Sequence, residues 1–358
     1  MKYFSVLTLL LAIFTISVSA ETLVSISGSA LTGVSGIKQE EGNPFRGQFE
    51  SAANLGVNLQ QGEEIFIDFE LAMAGLASES GFSTGLLYLT LNYKPEQYKN
   101  TEVTVGSLTQ PFGQFAESQT DNSSISGPFI YNDLGYTLLK KNNPVFQLAS
   151  NGVKVKQTFA HGSLEASVFN GTDGYDNNPD KGFGVAVRFL NSTLVPNTTW
   201  GASFLNSNDF GNPNGLNSNT TGAMVDFQTK LDDLTVGFYA GMIQLNDYNE
   251  ATEDNIGIYM ASIAKDYGSH TLAFQYSMVT PKDYDGSGSG MSAAMPILGL
   301  SNITFTDVDV QRFQLAGVLH VSDTFNLHNE LVYDAYGDNN ENNNYNTYGI
   351  LSYASLKF

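Results

Sequence analysis

Short segments in which apolar and polar residues alternate recur along most of the chain, and no other feature constrains the fold as strongly. In one of them, Ile65 and Ile67 would share a face, whereas Asp68 and Glu70 would share the opposite one. A period of two residues is typical of a β-strand with one apolar and one polar face. We predict about sixteen strands, near residues 22–33, 45–60, 63–76, 85–93, 101–109, 151–160, 163–170, 182–190, 199–207, 221–231, 234–246, 255–265, 270–280, 308–321, 325–336 and 345–358.

The two ends of the sequence indicate how such strands would be used. Residues 1–20 have a basic start, an apolar stretch and small residues before Glu21, which are the features of a secretory signal peptide. The final predicted strand ends on Phe358, and a terminal Phe on an alternating strand is typical of outer-membrane β-barrels. No second apolar run is long enough to cross a bilayer as a helix, so residues 21–358 would have to cross it as strands. The predicted fold class is therefore all-β, a transmembrane antiparallel β-barrel of about sixteen strands.

The connections between the predicted strands alternate between short and long, which favours a barrel over a soluble β-sandwich. An even number of strands with short periplasmic turns and long external loops is the pattern of bacterial barrels. The register is less certain at 92–100 and 191–198, which are long for periplasmic turns. The predicted periplasmic turns are 60–63, 160–162, 232–233, 266–269 and 322–324, and the predicted external loops are 172–181, 208–220, 247–254, 281–307 and 337–344.

The connection 110–150 is the longest, and a structureless stretch of this length is usually functional. It would be the third external loop. With about sixteen strands, this long third loop and a terminal Phe, the mature chain resembles Gram-negative porins. The segment 103–113, VTVGSLTQPFG, is also similar to the strand and loop start of the phosphate-selective porin family. Those pores carry many inward Arg and Lys side chains, whereas this chain has only 16 basic residues.

The resemblance implies a passive diffusion channel for small hydrophilic solutes and ions, with residues 110–150 folded into the lumen as its constriction. It also implies a homotrimer in the outer membrane, in contact with lipid and lipopolysaccharide. Phe358 would be the signal that the barrel-assembly machinery recognises. Two alternatives stay open. One is a channel selective for an anion such as phosphate, or for a sugar, and the other is a structural or adhesion barrel.

Charged residues on the predicted inner faces are the candidate functional residues, because a channel selects ions by the charges that line it. The chain has a net charge of −20, and cleavage after residue 20 would remove one Lys and no acid. This excess of acids predicts a weak preference for cations. The predicted lumen bases are Arg46, Lys154, Lys156, Arg188, Lys230 and Arg312, the wall acids are Glu50, Asp68, Glu70, Glu165, Asp226, Glu330 and Asp334, and the loop acids are Glu117, Asp121 and Asp133.

Other functional classes have little support in the sequence. Nucleic acid is an unfavourable partner for so acidic a chain, and the absence of Cys excludes thiolate metal sites and disulfides. Among the four His residues, His328 alone falls on a predicted inner face near acids, and no local signature selects a nucleophile for it. Acidic runs at 173–180 and 283–285 do not match the EF-hand pattern. We therefore predict no catalytic site, no metal site and no cofactor.

Overall fold

The chain forms a closed barrel of sixteen antiparallel strands, and two further short strands pair with each other in a separate sheet. The computed structural model describes residues 22–39, 45–76, 82–108, 110–113, 150–170, 183–192, 195–209, 218–246, 254–282, 291–292, 304–305, 310–336 and 346–358. The first strands are β1 (Thr22–Gln39), β2 (Arg46–Gln61), β3 (Ile65–Leu76), β4 (Phe82–Tyr93), β5 (Thr101–Leu108), β6 (Ser150–Phe159), β7 (Gly162–Asn170), β8 (Phe183–Asn191) and β9 (Thr198–Asp209). The remaining strands are β10 (Ser218–Leu231), β11 (Leu234–Asn246), β12 (Asp254–Asp266), β13 (His270–Lys282), β14 (Met291–Ser292), β15 (Thr304–Phe305), β16 (Val310–His320), β17 (Phe325–Tyr336) and β18 (Thr347–Lys357).

Each barrel strand pairs with its neighbours in sequence, and the first strand pairs with the last. Strand β13 pairs directly with β16, because the small β14–β15 sheet lies in the connection between them. The seam joins β1 to β18 in a register that runs from Ser29 opposite Lys357 to Gln39 opposite Thr347. Beyond β18, the backbone N–H and C=O of Phe358 both bond to Gly28. The predicted sixteen-stranded antiparallel barrel is therefore confirmed.

The alternation of side chains gives the barrel an apolar outer face and a polar inner face. On β10, Val225 is 53 % exposed, whereas its neighbour Asp226 is 3 % exposed. On β16, Leu315 is 54 % exposed, whereas Gln314 is 1 % exposed. This inverts the burial pattern of a soluble protein, in which large apolar side chains are covered. The inward and outward faces predicted for these strands agree with the structure.

The connections follow the predicted alternation, and we call the two ends of the barrel the turn end and the loop end. At the turn end, β10 and β11 are joined by two residues, of which Asp232 has a φ of 54°. Tight hairpins favour this left-handed conformation, which Asp tolerates better than most residues. The longer connection between β4 and β5 contains a short 3-10 helix, η1 (Glu96–Tyr98), and also lies at the turn end.

Two features of the fold differ from the prediction. Strand β1 extends to Gln39, six residues beyond its predicted end, although its second half is rich in Gly and Ser. The strand has no room for a side chain at Gly33, because a Cβ there would lie 2.2 Å from the carbonyl oxygen of Ser352 on β18. Close packing between β1 and β18 therefore requires glycine at this position, and in the sequence such a residue resembles a loop signal. The β14–β15 pair was also not predicted.

Parts of the predicted organisation lie outside the described residues. These are the signal peptide 1–20, most of the loop 110–150 and the acidic runs 173–180 and 283–285. Within the residues that the structure describes, no helix is long and apolar enough to cross a membrane.

Candidate functional site

The segment that follows β5 enters the barrel and contacts inner-face residues on β7, β8 and β9. Phe112 is 1 % exposed, and the hydroxyl of Ser167 on β7 donates to Oε1 of Gln110 at 2.7 Å. The backbone N–H of Gly113 donates to Oγ of Ser203 on β9 at 2.9 Å. Residues 110–113, which we call the anchor segment, therefore run from β5 toward β9. The anchor segment is the last part of the motif 103–113, and residues 114–149 of the predicted constriction loop lie outside the described residues.

Two glycines on the inner wall make room for the anchor segment and the ion pair beside it. A Cβ at Gly222 would lie 2.8 Å from the ring of Phe112. A Cβ at Gly201 would lie 2.9 Å from Oδ1 of Asp226 and 3.1 Å from a guanidinium nitrogen of Arg188. Because any larger residue at these two positions would collide with these groups, the wall is shaped to receive them.

Arg188 and Asp226 form a buried ion pair that also holds the anchor segment. The guanidinium donates to Oδ1 of Asp226 at 2.8 Å and to the carbonyl oxygen of Gly113. Arg188 lies on β8 and Asp226 on β10, so the pair crosses β9 above Gly201. Both predicted lumen charges are thus brought together, and their contact connects the wall to the predicted constriction loop.

A second buried polar cluster lies on β13, β16 and β17. Arg312 donates from two nitrogens to both oxygens of Asp334, at 2.7 and 2.8 Å, and it is 2 % exposed. Beside it, Gln314 accepts from Gln275 at 2.6 Å and donates to Glu330 at 2.9 Å. Arg312 and Glu330 are on the inner face as predicted, but other protein groups cover them almost completely.

A third group of charges lies near the turn end, on β5, β6 and β7 and at the start of the β4–β5 connection. Lys156 pairs with Glu165 at 3.0 Å, and Lys94 pairs with Glu102 at 3.3 Å. The partners come from adjacent strands, because Lys156 is directly opposite Glu165 in the β6–β7 register. The inner wall is therefore crossed by ion pairs between neighbouring strands.

A polar cavity of about 400 Å³ lies on the inner side of β1 to β6 and contains the predicted acid Asp68. Nδ2 of Asn58 donates to one carboxylate oxygen of Asp68 at 2.5 Å, and Nδ2 of Asn92 donates to the other at 2.7 Å. Oδ1 of Asn92 in turn accepts from the hydroxyl of Thr104 at 2.7 Å. Lys154, on β6, lines the same cavity. Asn58 on β2 and Asn92 on β4 thus donate directly to the Asp68 carboxylate on β3, and Thr104 on β5 holds Asn92 in place.

The candidate residues divide into those that the structure describes and those that it does not. The side chains of Arg46, Glu50 and Glu70 and the loop acids Glu117, Asp121 and Asp133 lie outside the described part. The described candidates all lie on inner faces. Asp68 and Lys154 line the cavity, and Lys230 is exposed at the turn end of β10. The others take part in the polar contacts given above: Lys156, Glu165, Arg188, Asp226, Arg312, Glu330 and Asp334.

The sequence analysis missed the neutral residues that surround these charges. Asn58, Asn92 and Thr104 were not singled out, although each lies on the inner face of its strand. Extending the two-residue period along β2, β4 and β5 would have put them on the polar face. Their contact with Asp68 depends on strand register, which alternation alone does not give.

His328 was the one histidine considered for catalysis. Its Nε2 hydrogen-bonds with the Ser355 hydroxyl at 2.7 Å, and its ring stacks on Tyr353 at 4.6 Å between centroids. A Ser-His-acid site requires an acid that orients the second ring nitrogen. Within the described residues, Nδ1 of His328 has no hydrogen-bond partner. The described cluster therefore has two members of such a site and lacks the third.

Solved structures of outer-membrane porins share this architecture. The anion-selective porin from Comamonas acidovorans aligns with a TM-score of 0.67 at 12 % identity, over 94 % of this chain and 100 % of that chain. The outer-membrane channel DcaP of Acinetobacter baumannii aligns with a TM-score of 0.66 at 13 % identity, over 95 % and 99 %. The trimer form of OmpT from Vibrio cholerae aligns with a TM-score of 0.62 at 12 % identity, over 94 % and 99 %.

The chain therefore has the sixteen-stranded fold of outer-membrane porins. No family model matches the sequence, and no curated protein matches it. At identities of 12 to 13 % to these solved structures, the fold is what is shared, and selectivity has to be argued from this chain's own residues.

Proposed function

We propose that this protein is a porin of the bacterial outer membrane that lets small hydrophilic solutes and ions diffuse passively. The observation that carries the proposal is a closed barrel with exposed apolar side chains outside and a polar cavity inside. Exposed apolar strands suit contact with lipid, and a polar interior suits the passage of hydrophilic solutes. Transport of this kind needs neither a catalytic residue nor a cofactor.

The wall charges favour weak cation selectivity. Three of the predicted bases, Lys156, Arg188 and Arg312, are each within ion-pair distance of an acid, so their positive charge is locally compensated. Asp68, by contrast, accepts from two neutral amides. Together with the net charge of −20, this leaves an acidic excess that raises the local concentration of cations.

Ion selectivity in planar bilayers tests the proposal. The purified barrel should form open, ohmic pores whose zero-current potential in a KCl gradient indicates a weak preference for K⁺. The preference should fade near 1 M salt, where the Debye length is ~3 Å. Neutralising Glu117, Asp121 and Asp133 together should shift the potential toward anion selectivity. A marked anion preference of the unmodified pore would favour the anion-selective alternative, and a closed barrel would favour an adhesion or structural role.

We also propose that the protein is a homotrimer. On the outer face, the hydroxyl of Ser352 donates to Oδ1 of Asn329 at 2.8 Å, and both residues lie between exposed apolar neighbours such as Leu331 and Ile350. Polar groups are unfavourable against hydrocarbon, so contact with another copy of the chain would stabilise this part of the surface. Sedimentation equilibrium in detergent measures the oligomeric state, and a monomer would contradict the proposal.

A further inference from the structure

We propose that the cavity beside Asp68 binds the guanidinium group of a small cationic solute. The proposal rests on the channel function proposed above and deepens it, because the solute would reach the cavity through the lumen. The cavity volume of about 400 Å³ lies within the range of small-molecule sites, about 300 to 1,000 Å³. The carboxylate of Asp68 is the group that would bind the cation.

The partners of Asp68 differ from those of other acids on the inner wall. Four of these acids form ion pairs with a base at 2.7 to 3.3 Å, namely Glu102, Glu165, Asp226 and Asp334. Among the described residues, Asp68 has no such base, and its two oxygens accept from the neutral amides of Asn58 and Asn92. Charges that are shielded from water are usually paired. A cation from solution would therefore supply the positive charge that the described wall does not bring to this half-buried carboxylate.

The two amides leave the carboxylate open to a donor with two parallel N–H groups. Asn58 donates to Oδ1 at 2.5 Å and Asn92 donates to Oδ2 at 2.7 Å, and their strands lie on either side of β3. A carboxylate oxygen has two lone-pair positions, so each oxygen keeps one for a further donor. A guanidinium is planar and can bind both oxygens of a carboxylate at once. An ammonium is a more strongly hydrated point charge and lacks this paired arrangement of donors.

Asn92 holds the carboxylate in place before any solute binds. It is 4 % exposed, and its oxygen accepts from the hydroxyl of Thr104. Its nitrogen donates to Asp68 and also to Oγ1 of Thr90 at 3.2 Å. Because β-strands carry all four residues, binding would require little rearrangement, which favours recognition.

Two other charged residues line the cavity, and neither belongs to the proposed site. Glu102 is paired with Lys94 at 3.3 Å, and Lys154 has a partner of its own. The site needs only the two oxygens of one carboxylate. Binding also has to be weak, because a channel must release what it admits, and we expect half-saturation in the millimolar range.

Methylguanidinium tests the site, with methylammonium and methylurea as matched compounds. Methylammonium has the charge without the paired donors, and methylurea has the paired donors without the charge. Each compound is titrated against the purified full chain in detergent by saturation-transfer NMR, and against the K⁺ current of the full chain in planar bilayers. Methylguanidinium should reach half-saturation and half-block at a concentration about tenfold lower than either compound, because it alone makes two charge-assisted hydrogen bonds.

Two variants of the same cavity show whether Asp68 carries this advantage. Asp68→Asn should remove it, because the side chain keeps its shape and loses its charge. Glu102→Gln is the matched control, since it removes one negative charge from the same lining, and it should preserve the advantage. Equal losses in the two variants would overturn the assignment to Asp68.

The two measurements separate the binding site from the channel. Ohmic current with equal half-saturation for the three compounds would overturn the site and leave the channel intact. Absence of ohmic current, together with Asp68-dependent binding in detergent, would overturn the channel and leave the site intact. If Asp68→Asn does not give a heat-modifiable barrel, Gly56→Leu takes its place. Gly56 lines the cavity, and the nearest atom to a Cβ there is the Ser27 hydroxyl oxygen at 2.9 Å, so a leucine would fill the cavity without removing the carboxylate. A full methylguanidinium advantage in Gly56→Leu would overturn the proposal.

Discussion

At the scale of single residues, the inner wall contains basic side chains that form ion pairs with acids. The acid lies on the adjacent strand or, for Arg188 and Asp226, across one intervening strand. Arg312 and Asp334 are both 2 % exposed and share two hydrogen bonds. Removing two charges from water is costly, and their contact compensates for it only when both partners are present. The pair is therefore sensitive to the loss of either partner.

Arg312→Met should therefore destabilise the barrel by roughly 3 to 5 kcal/mol, because it leaves the Asp334 carboxylate in a buried position without its bidentate partner. The double variant Arg312→Met/Asp334→Leu should recover most of this loss. The midpoint of urea unfolding in detergent measures both effects. The exposed-pair variant Lys265→Met is the control and should change stability by less than about 1 kcal/mol. Equal instability of the single and double variants would contradict this account.

At the scale of elements, the anchor segment connects β5 to the inner wall formed by β7, β8 and β9. Its contacts with Ser167, Ser203 and Arg188 fix residues 110–113 inside the barrel. The chain that continues from Gly113 therefore starts from the interior and not from the rim. This starting point supports the proposed constriction by the remainder of 110–150.

If residues 110–150 line the lumen as predicted, deleting residues 118–127 should raise single-channel conductance, because the deletion would remove chain from the lumen while leaving all strand pairing intact. The matched control is a shortening of the β7–β8 loop within 172–181, which should leave conductance unchanged. Gly222→Leu offers a second variant, since its side chain would displace the ring of Phe112. Unchanged conductance after deletion of 118–127 would indicate that this part of the loop lies outside the pore.

The sequence was sufficient to predict the sixteen barrel strands, apart from the end of β1, but it predicted neither the β14–β15 pair nor the contacts between side chains. Alternation located β3 and β10 and the inward direction of Asp68 and Asp226, because side-chain direction depends only on the two-residue period of a strand. The ion pair of Arg188 with Asp226 spans three strands and depends on Gly201, whose role is visible only once the register is known. The amide partners of Asp68 were missed for the same reason.

At the scale of the whole molecule, the barrel is closed by the pairing of its first and last strands. Phe358 contributes in two ways that can be separated. Its backbone bonds twice to Gly28, whereas its ring is 63 % exposed on the outer face. The backbone bonds extend the seam, and the ring is the group that we predict the assembly machinery recognises.

Phe358→Ala keeps the backbone bonds and removes the ring, whereas deletion of Phe358 removes both. If the ring is the recognition signal, Phe358→Ala should lower the amount of heat-modifiable barrel in outer membranes severalfold and leave refolding of the purified chain unchanged. Deletion should reduce both. Unchanged membrane levels for Phe358→Ala, measured by the gel shift on heating, would contradict a role of the ring in assembly.

The seam between β1 and β18 also has a consequence for the order of events during biogenesis. Strand β1 is among the first of the described strands to leave the ribosome, yet one of its edges has no partner until β18 has been made. Pairings between the two ends of a chain form slowly, since the ends must first meet, and an unpaired edge is a template for aggregation. A nascent barrel of this kind is therefore exposed to pairing with its own copies until its last strand arrives.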